Sequence, residues 1–273
     1  MGIHLGDTVV EFWLLYLATG VFAGFLAGLL GVGGGLVIVP VLAFIFAAQH
    51  FPAGQVMHIA LGTSLASIMF TSVSSLRAHH AHGAVNWMVV RGLTPGIIVG
   101  TLAGTVVAAQ LSTFFLKVFF VVFLYYVATQ MALNIKPKPS RDLPGSAGMF
   151  GVGGVIGAVS SLVGIGGGTL SVPFMTWCNV KLHQAIGTSA ALGFPIAAAG
   201  TVGYIANGWM LETLPAYSLG FVYLPALAGL VVASVLTAPF GARLAHRLPV
   251  ARLKKFFALL LIVLGTRMLF SLF

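Results

Sequence analysis

Charge is what this sequence has least of. Its 273 residues include four Asp or Glu and thirteen Lys or Arg, so charged side chains make up 6% of the chain against 59% hydrophobic ones. A soluble protein of this length needs far more polar surface, which excludes an aqueous globular domain and leaves an integral membrane protein. The shortage of acid excludes more. Asp and Glu are missing from the apolar stretches, which removes the obvious intramembrane proton carriers. No paired carboxylates, HExxH or Ser/His/Asp arrangement is present, so no enzymatic activity is expected.

Cysteine is almost absent too. Cys178 stands alone, so no intrachain disulfide can form, and in apolar surroundings it reads as buried and inert. His79, His80 and His82 form a compact cluster, but no nearby Cys or Glu completes a site, and the stretch reads as an interfacial loop. No metal and no cofactor is expected. The net charge of +9 comes from basic residues scattered through short loops, a pattern that argues against nucleic acid as a partner. Residues 1–11 hold Asp7 and Glu11 but no Lys or Arg, unlike the basic start of a cleaved signal peptide, so the first hydrophobic segment is expected to stay.

What the chain has in quantity is glycine, 35 residues of it, and long apolar runs. These runs lack the alternation of outer-membrane strands and predict helices over about 12–31, 36–48, 57–77, 89–109 and 115–135, then 147–164, 169–180, 184–206, 216–240 and 252–271. The hydrophilic, proline-broken stretch 136–146 reads as a linker between an N-terminal membrane repeat, 1–135, and a C-terminal one, 147–273. Five segments per half place the halves in opposite orientation. Arg77, Arg91, Lys136, Lys138, Arg141, Lys181, Arg243, Arg247, Arg252, Lys254 and Lys255 then share one side, and only Lys117 and Arg267 lie opposite. By the positive-inside rule the linker is expected on the cytoplasmic side and both termini on the outer side.

The halves also repeat each other. Leu29-Leu-Gly-Val-Gly-Gly-Gly-Leu-Val-Ile-Val-Pro40 returns as Leu162-Val-Gly-Ile-Gly-Gly-Gly-Thr-Leu-Ser-Val-Pro173. Ala60-Leu-Gly-Thr-Ser64 returns as Ala185-Ile-Gly-Thr-Ser189, and Leu116-Lys-Val-Phe-Phe120 as Leu253-Lys-Lys-Phe-Phe257. Three matches in one order, with gaps confined to loops, indicate a diverged duplication. Irregular backbone at membrane depth survives only when buried in protein or lining a cavity, so the paired glycine breaks mark a candidate binding site. The segments after them, about 13 residues or about 20 Å long, fall short of a hydrocarbon core of about 30 Å and read as half-helices of re-entrant hairpins.

Gly33, Gly34 and Gly35, with Gly166, Gly167 and Gly168, each lead straight into a helix and leave its first N–H groups unshielded. Two such helix ends converging from opposite halves can hold an anion without a buried Lys or Arg. Leu36 and Thr169 stand where a nucleotide fingerprint needs its third glycine, so ATP or NAD is not expected. Close helix packing is the alternative use of such glycines. Thr63, Ser64, Thr188 and Ser189 could give hydroxyl donors to oxyanion oxygens, or bond their own backbone one turn back. Pro40 and Pro173 fall inside the short segments, where a kink or hinge is expected. Arg77, at the cytoplasmic end of its helix, reads as snorkelling to the interface, with attraction of anions to an inner vestibule as the alternative.

These paired Gly-x-Gly-Gly-Gly-x4-Pro elements, Gly31 to Pro40 and Gly164 to Pro173, each followed by Gly-Thr-Ser, resemble the signature of the TauE/SafE family of sulfite and organosulfonate exporters, also called the toluene-sulfonate uptake permease family. The likeness covers nearly the whole chain. It implies a secondary transporter, most often an exporter, of small sulfur-containing anions such as sulfite, sulfoacetate, sulfolactate or thiosulfate. The expected architecture is all-α, two inverted-topology repeats, with substrate near the midplane and access alternating as one half rocks against the other. An anion-selective channel of the same fold would use the same donors without an alternating state.

Overall fold

In the computed structural model the described residues are 5–31, 33–133, 140–245 and 250–272. Linker residues 136–139, with Lys136 and Lys138, and Arg247 lie outside them. The chain forms α1 (Leu5–Leu30), α2 (Gly35–Ala48), α3 (Val56–Ala81), α4 (Trp87–Gln110), α5 (Thr113–Ala132), α6 (Ser146–Val163), α7 (Gly168–Trp177), α8 (Leu182–Gly208), α9 (Leu224–Ala245) and α10 (Val250–Phe270). It is an all-α membrane protein: seven of these helices are long and apolar enough to span a bilayer, α1 and α3 to α6 together with α8 and α9. Two strands, β1 (Ser218–Leu219) and β2 (Val222–Tyr223), make a small antiparallel hairpin.

That hairpin corrects one expected boundary. The ninth segment, predicted from 216, begins at Leu224, because the chain turns back at Gly220 in the left-handed region (φ +53°) and pairs Leu219 with Val222. A second correction concerns the histidines. α3 runs past its predicted end at 77 to Ala81, so His79 and His80 are helical rather than in a loop. His79 is buried, its Nε2 3.0 Å from the Gly28 carbonyl on α1.

α2 and α7 have 14 and 10 residues, about 21 and 15 Å at the helical rise, and neither reaches across a bilayer. Each turns back toward where its predecessor started. At the end of α7, Trp177 donates from Nε1 to the Ser140 hydroxyl at 2.9 Å, and Ser140 N–H donates to the Trp177 carbonyl at 3.2 Å, just upstream of α6. The Arg141 guanidinium lies 4.9 Å over the Trp177 ring and Asn179 Nδ2 donates to the Arg141 carbonyl, so the end of the linker holds the end of α7. At the end of α2, the Tyr16 hydroxyl of α1 donates to Gln49 Oε1 at 3.0 Å.

The sequence halves are interleaved. α1 lies along α9, and α6 along α4. Glycines spaced by four make both contacts close: Gly20, Gly24 and Gly28 of α1 sit against Leu230, Ser234 and Ala238, while Gly96, Gly100 and Gly104 of α4 sit against Phe150, Gly154 and Ala158. Apolar side chains gain nothing by leaving lipid for a neighbouring helix, so membrane helices associate through such close backbone approach. α3 and α8, the most enclosed spans, cross the centre antiparallel, with Leu65 against Gly200 and Ser72 against Gly193, and Ala84, just after α3, against Gly187. α5 packs on α10 through a 2.8 Å hydrogen bond between Tyr125 and Thr266.

Candidate functional site

The two glycine breaks share a backbone conformation at two matched positions and differ at a third, Gly33 at φ +82°, whose counterpart Gly166 has no positive φ. Gly31 and Gly164, after α1 and α6, lie at φ +67° and +69°; Gly34 and Gly167, capping α2 and α7, lie at +78° and +76°. An L side chain pays steric energy there, which is why glycine occupies these turns. Neither cap carries a side chain that could bond the first N–H groups of its helix. Val37 and Ile38 N–H reach back to the Gly34 carbonyl, and Leu170 and Ser171 N–H to that of Gly167. The N–H groups at Gly35 and Leu36, and at Gly168 and Thr169, precede the first intrahelical bonds and carry the positive end of each helix dipole.

The breaks touch each other. A Cβ on Gly33 would stand 3.0 Å from the Gly166 backbone, and one on Gly35 would meet the Gly164 carbonyl. Between them lies a cavity of about 10 Å³, lined by Gly31, Gly33, Gly166, Gly193 and the hydroxyl residues Thr71, Ser72, Ser75 and Ser189. That is room for one water at most.

Each of the four hydroxyl residues singled out in sequence bonds backbone of the opposite half. Ser64 Oγ donates to the Gly164 carbonyl at 2.8 Å. Ser189 Oγ donates to the Gly31 carbonyl at 3.1 Å and to that of Ile186, one turn back, at 2.8 Å. Thr63 Oγ1 accepts from Tyr223 N–H at 3.0 Å, before α9, and Thr188 Oγ1 accepts from Asn86 N–H at 2.9 Å, before α4. All four side chains are fully buried. Of the sequence-predicted set, Gly33, Gly166 and Ser189 line the cavity. Ser64, Thr63 and Thr188 instead join the halves, Gly34 abuts the Ala23 carbonyl, and Gly167 abuts Ile196. Gly168 opens α7, buried. Pro40 and Pro173 sit inside α2 and α7, where each leaves the carbonyl four residues earlier, Leu36 and Thr169, without its helical donor.

Seven lining residues lie outside the predicted set: Ala27, Gly31, Ala190, Gly193 and three hydroxyl residues of α3, Thr71, Ser72 and Ser75. Thr71 Oγ1 donates to the Ser67 carbonyl and lies 2.7 Å from Ser234 Oγ, and Ser72 Oγ donates to the Met69 carbonyl. Ser75 Oγ, in a residue 2% exposed, has no partner among the described residues. Their signal is the run Thr71-Ser-Val-Ser-Ser75 inside an apolar helix. Counted from Gly-Thr-Ser, the second half has Ile196, Ala197 and Gly200 at these positions, so a search for residues present twice passes over them. Among the described residues no group of three or more His, Cys, Asp or Glu could hold a metal ion, and Cys178 is a buried free thiol.

The sequence matches the family described as sulfite exporter TauE/SafE over residues 16–268. A "probable membrane transporter protein" of Haemophilus influenzae is 40% identical over 259 residues, 94% of this chain and 98% of its own. A similarly described protein of the archaeon Methanocaldococcus jannaschii is 27% identical over 93% of this chain and 94% of its own, and one of Bacillus subtilis, YdhB, is 25% identical over 90% and 96%. No solved structure matches the chain. Seven candidate spans, a paired glycine-break core and a family match along almost its entire length make this chain a multi-pass membrane protein of the TauE/SafE sulfite exporter family of membrane transporters.

Proposed function

We propose that the protein is a secondary transporter, working as an exporter, of a small sulfur-containing anion such as sulfite or a two- or three-carbon sulfonate, bound between the two glycine breaks. The observation that carries this reading is the unpartnered Ser75 hydroxyl, buried in a cavity lined by glycines and hydroxyl side chains together with Ala27 and Ala190. A sulfur oxyanion presents only acceptors, and Ser75 Oγ–H supplies a donor inside the cavity, while the starts of α2 and α7 adjoin it through Gly33 and Gly166 without themselves lining it. Selection for sulfur oxyanions over other small anions rests on the family to which the chain belongs.

Three features of the fold support alternating access. The equivalent contacts of the halves, the crossed Ser64–Gly164 and Ser189–Gly31 bonds, and the antiparallel α3 and α8 support two inverted repeats. Because the halves interleave, the bodies that move are mixed: the α1/α9 pair on one side and α4/α6 on the other, rather than residues 1–135 against 147–273. A constriction with room for one water favours a carrier over an open anion channel. The basic side of the protein is cytoplasmic and both termini are periplasmic in this reading, within a bacterial inner membrane.

The test is counterflow in proteoliposomes. Labelled sulfite should exchange against unlabelled sulfite, sulfoacetate or thiosulfate on the other side, and Ser75→Ala should weaken that exchange. Conductance without counterflow would make it a channel, and no response to any sulfur anion would remove the substrate assignment.

A further inference from the structure

We propose that the groove between α3, α8 and α9 is a binding site for an anionic phospholipid, with the lipid phosphate at Arg77 and Arg243 and an acyl chain along the apolar wall. The groove encloses about 790 Å³, within the range of specific ligand sites. Its polarity is ordered along the helices. On α3 the lining runs from Met69 and Phe70 through Val73 to Arg77; on α9 it runs from Val235 through Pro239 to Arg243. Steps of four residues advance about 6 Å, so an apolar wall about 12 Å long ends in two guanidiniums.

The groove opens sideways to lipid, since its wall residues Phe70 and Phe194 are exposed side chains on membrane spans. Ser74 is committed to the Val235 carbonyl at 2.9 Å, leaving the wall apolar. Among the described residues neither Arg77 nor Arg243 has a carboxylate partner; Arg243 lies 5.8 Å over the Phe240 ring. A hydrated oxyanion gains nothing from an apolar wall, whereas a lipid matches both the wall and the charge.

The fold supplies its own comparison. An equivalent groove between α3, α4 and α8, about 610 Å³, is lined by Val90, Ile98, Pro195, Ala198 and Val202. Counted from Gly-Thr-Ser, Val202 stands where α3 has Arg77, and that groove carries no charge. The two guanidiniums are therefore not a requirement of the architecture.

The experiment uses the full chain purified in neutral detergent, with phosphatidylglycerol or phosphatidylcholine added, and reads lipid retention by native mass spectrometry and melting temperature. Phosphatidylglycerol should be retained preferentially and should raise the melting temperature. Arg77→Gln with Arg243→Gln should weaken its retention about 25-fold, about fivefold for each charge, while retention of phosphatidylcholine is unchanged. Val73→Trp, which fills the groove but keeps both arginines, should also lower retention and guards against misfolding of the double variant; Val202→Gln in the other groove should not. Equal retention of the two lipids, or wild-type retention by both groove variants, would overturn the proposal. So would stabilisation by inorganic phosphate or sulfite matching that of phosphatidylglycerol and lost with the arginines, which would make the groove a free-anion site.

Discussion

Two serines on one helix, eleven residues apart, should answer alanine substitution in opposite ways. Ser64 Oγ donates to the Gly164 carbonyl at 2.8 Å in a fully buried setting, so Ser64→Ala removes a bond between the halves and strands a backbone acceptor. Hydrogen bonds between membrane helices contribute about 0.6 kcal/mol on average and up to about 1.7 kcal/mol. For a chain of this size that corresponds to a fall in melting temperature of roughly 1–7 °C. Ser75 Oγ has no protein partner among the described residues, so Ser75→Ala should change stability by less than about 0.5 kcal/mol, or roughly 2 °C.

Binding should show the reverse. A hydrogen bond from Ser75 to an anionic oxygen contributes about 1.5–3 kcal/mol, so Ser75→Ala should weaken sulfite affinity by about 10- to 150-fold, while Ser64→Ala should leave it within a few-fold of wild type. Thermal unfolding in detergent reads the first pair of values, and sulfite titration by calorimetry reads the second. If Ser75→Ala melts as low as Ser64→Ala, or binds sulfite like wild type, the cavity is a packing defect and not the substrate site.

Gly34→Ala forces a left-handed residue, costing about 1–2 kcal/mol, and sets its Cβ 2.8 Å from the Ala23 carbonyl for about 1–3 kcal/mol more. Its melting temperature should fall clearly, whereas Gly54→Ala, with open space around it, should be neutral or slightly stabilising. Gly100→Leu drives a side chain into the Gly154 backbone and should separate α4 from α6, read as loss of the monodisperse peak in size-exclusion chromatography; Gly151→Leu, facing open space, should not. Cys178, buried and free, should react with a maleimide slowly in the native protein and rapidly after denaturation; equal rates would place it at the surface.

The elements most legible in sequence were those with one dominant physical cause. Long apolar runs located the helix ends to within about four residues except at α1, which starts at Leu5 rather than 12, and α9, and the glycine trios located the turns that end α1 and α6 and begin α2 and α7. What the pattern hid were features set by tertiary contact. The β1–β2 hairpin was absorbed into a helix because Leu219, Phe221, Val222 and Tyr223 are as apolar as the span that follows. The end of α3 was cut short at a polar cluster, although His79 finds its partner on α1, far away in sequence. Hydroxyls were the least legible. A serine that joins two backbones and one that lines a cavity look alike until their neighbours are placed, and that difference separates Ser64 from Ser75.

The frame of the core is doubled, but its side chains are not, and this difference bears on how the protein works. Gly31 matches Gly164, Gly34 matches Gly167 and Ser64 matches Ser189 in conformation or bonding. Around that frame Thr71, Ser72 and Ser75 of α3 face Ile196, Ala197 and Gly200 at the corresponding places in α8, while Gly193 of α8 answers to Ile68 of α3. The cavity therefore opens beside the hydroxyls of α3, and isoleucines fill toward the glycines elsewhere: Ile68 packs 3.2 Å from the Cβ position of Gly33, and Ile196 abuts Gly167. Two states related by perfect internal symmetry would have equal free energy, and differences of a few kcal/mol at such buried positions are enough to hold one state at nearly full population. On the alternating-access reading proposed above, the duplicated backbone would permit two states and the unequal side chains would give them unequal free energies.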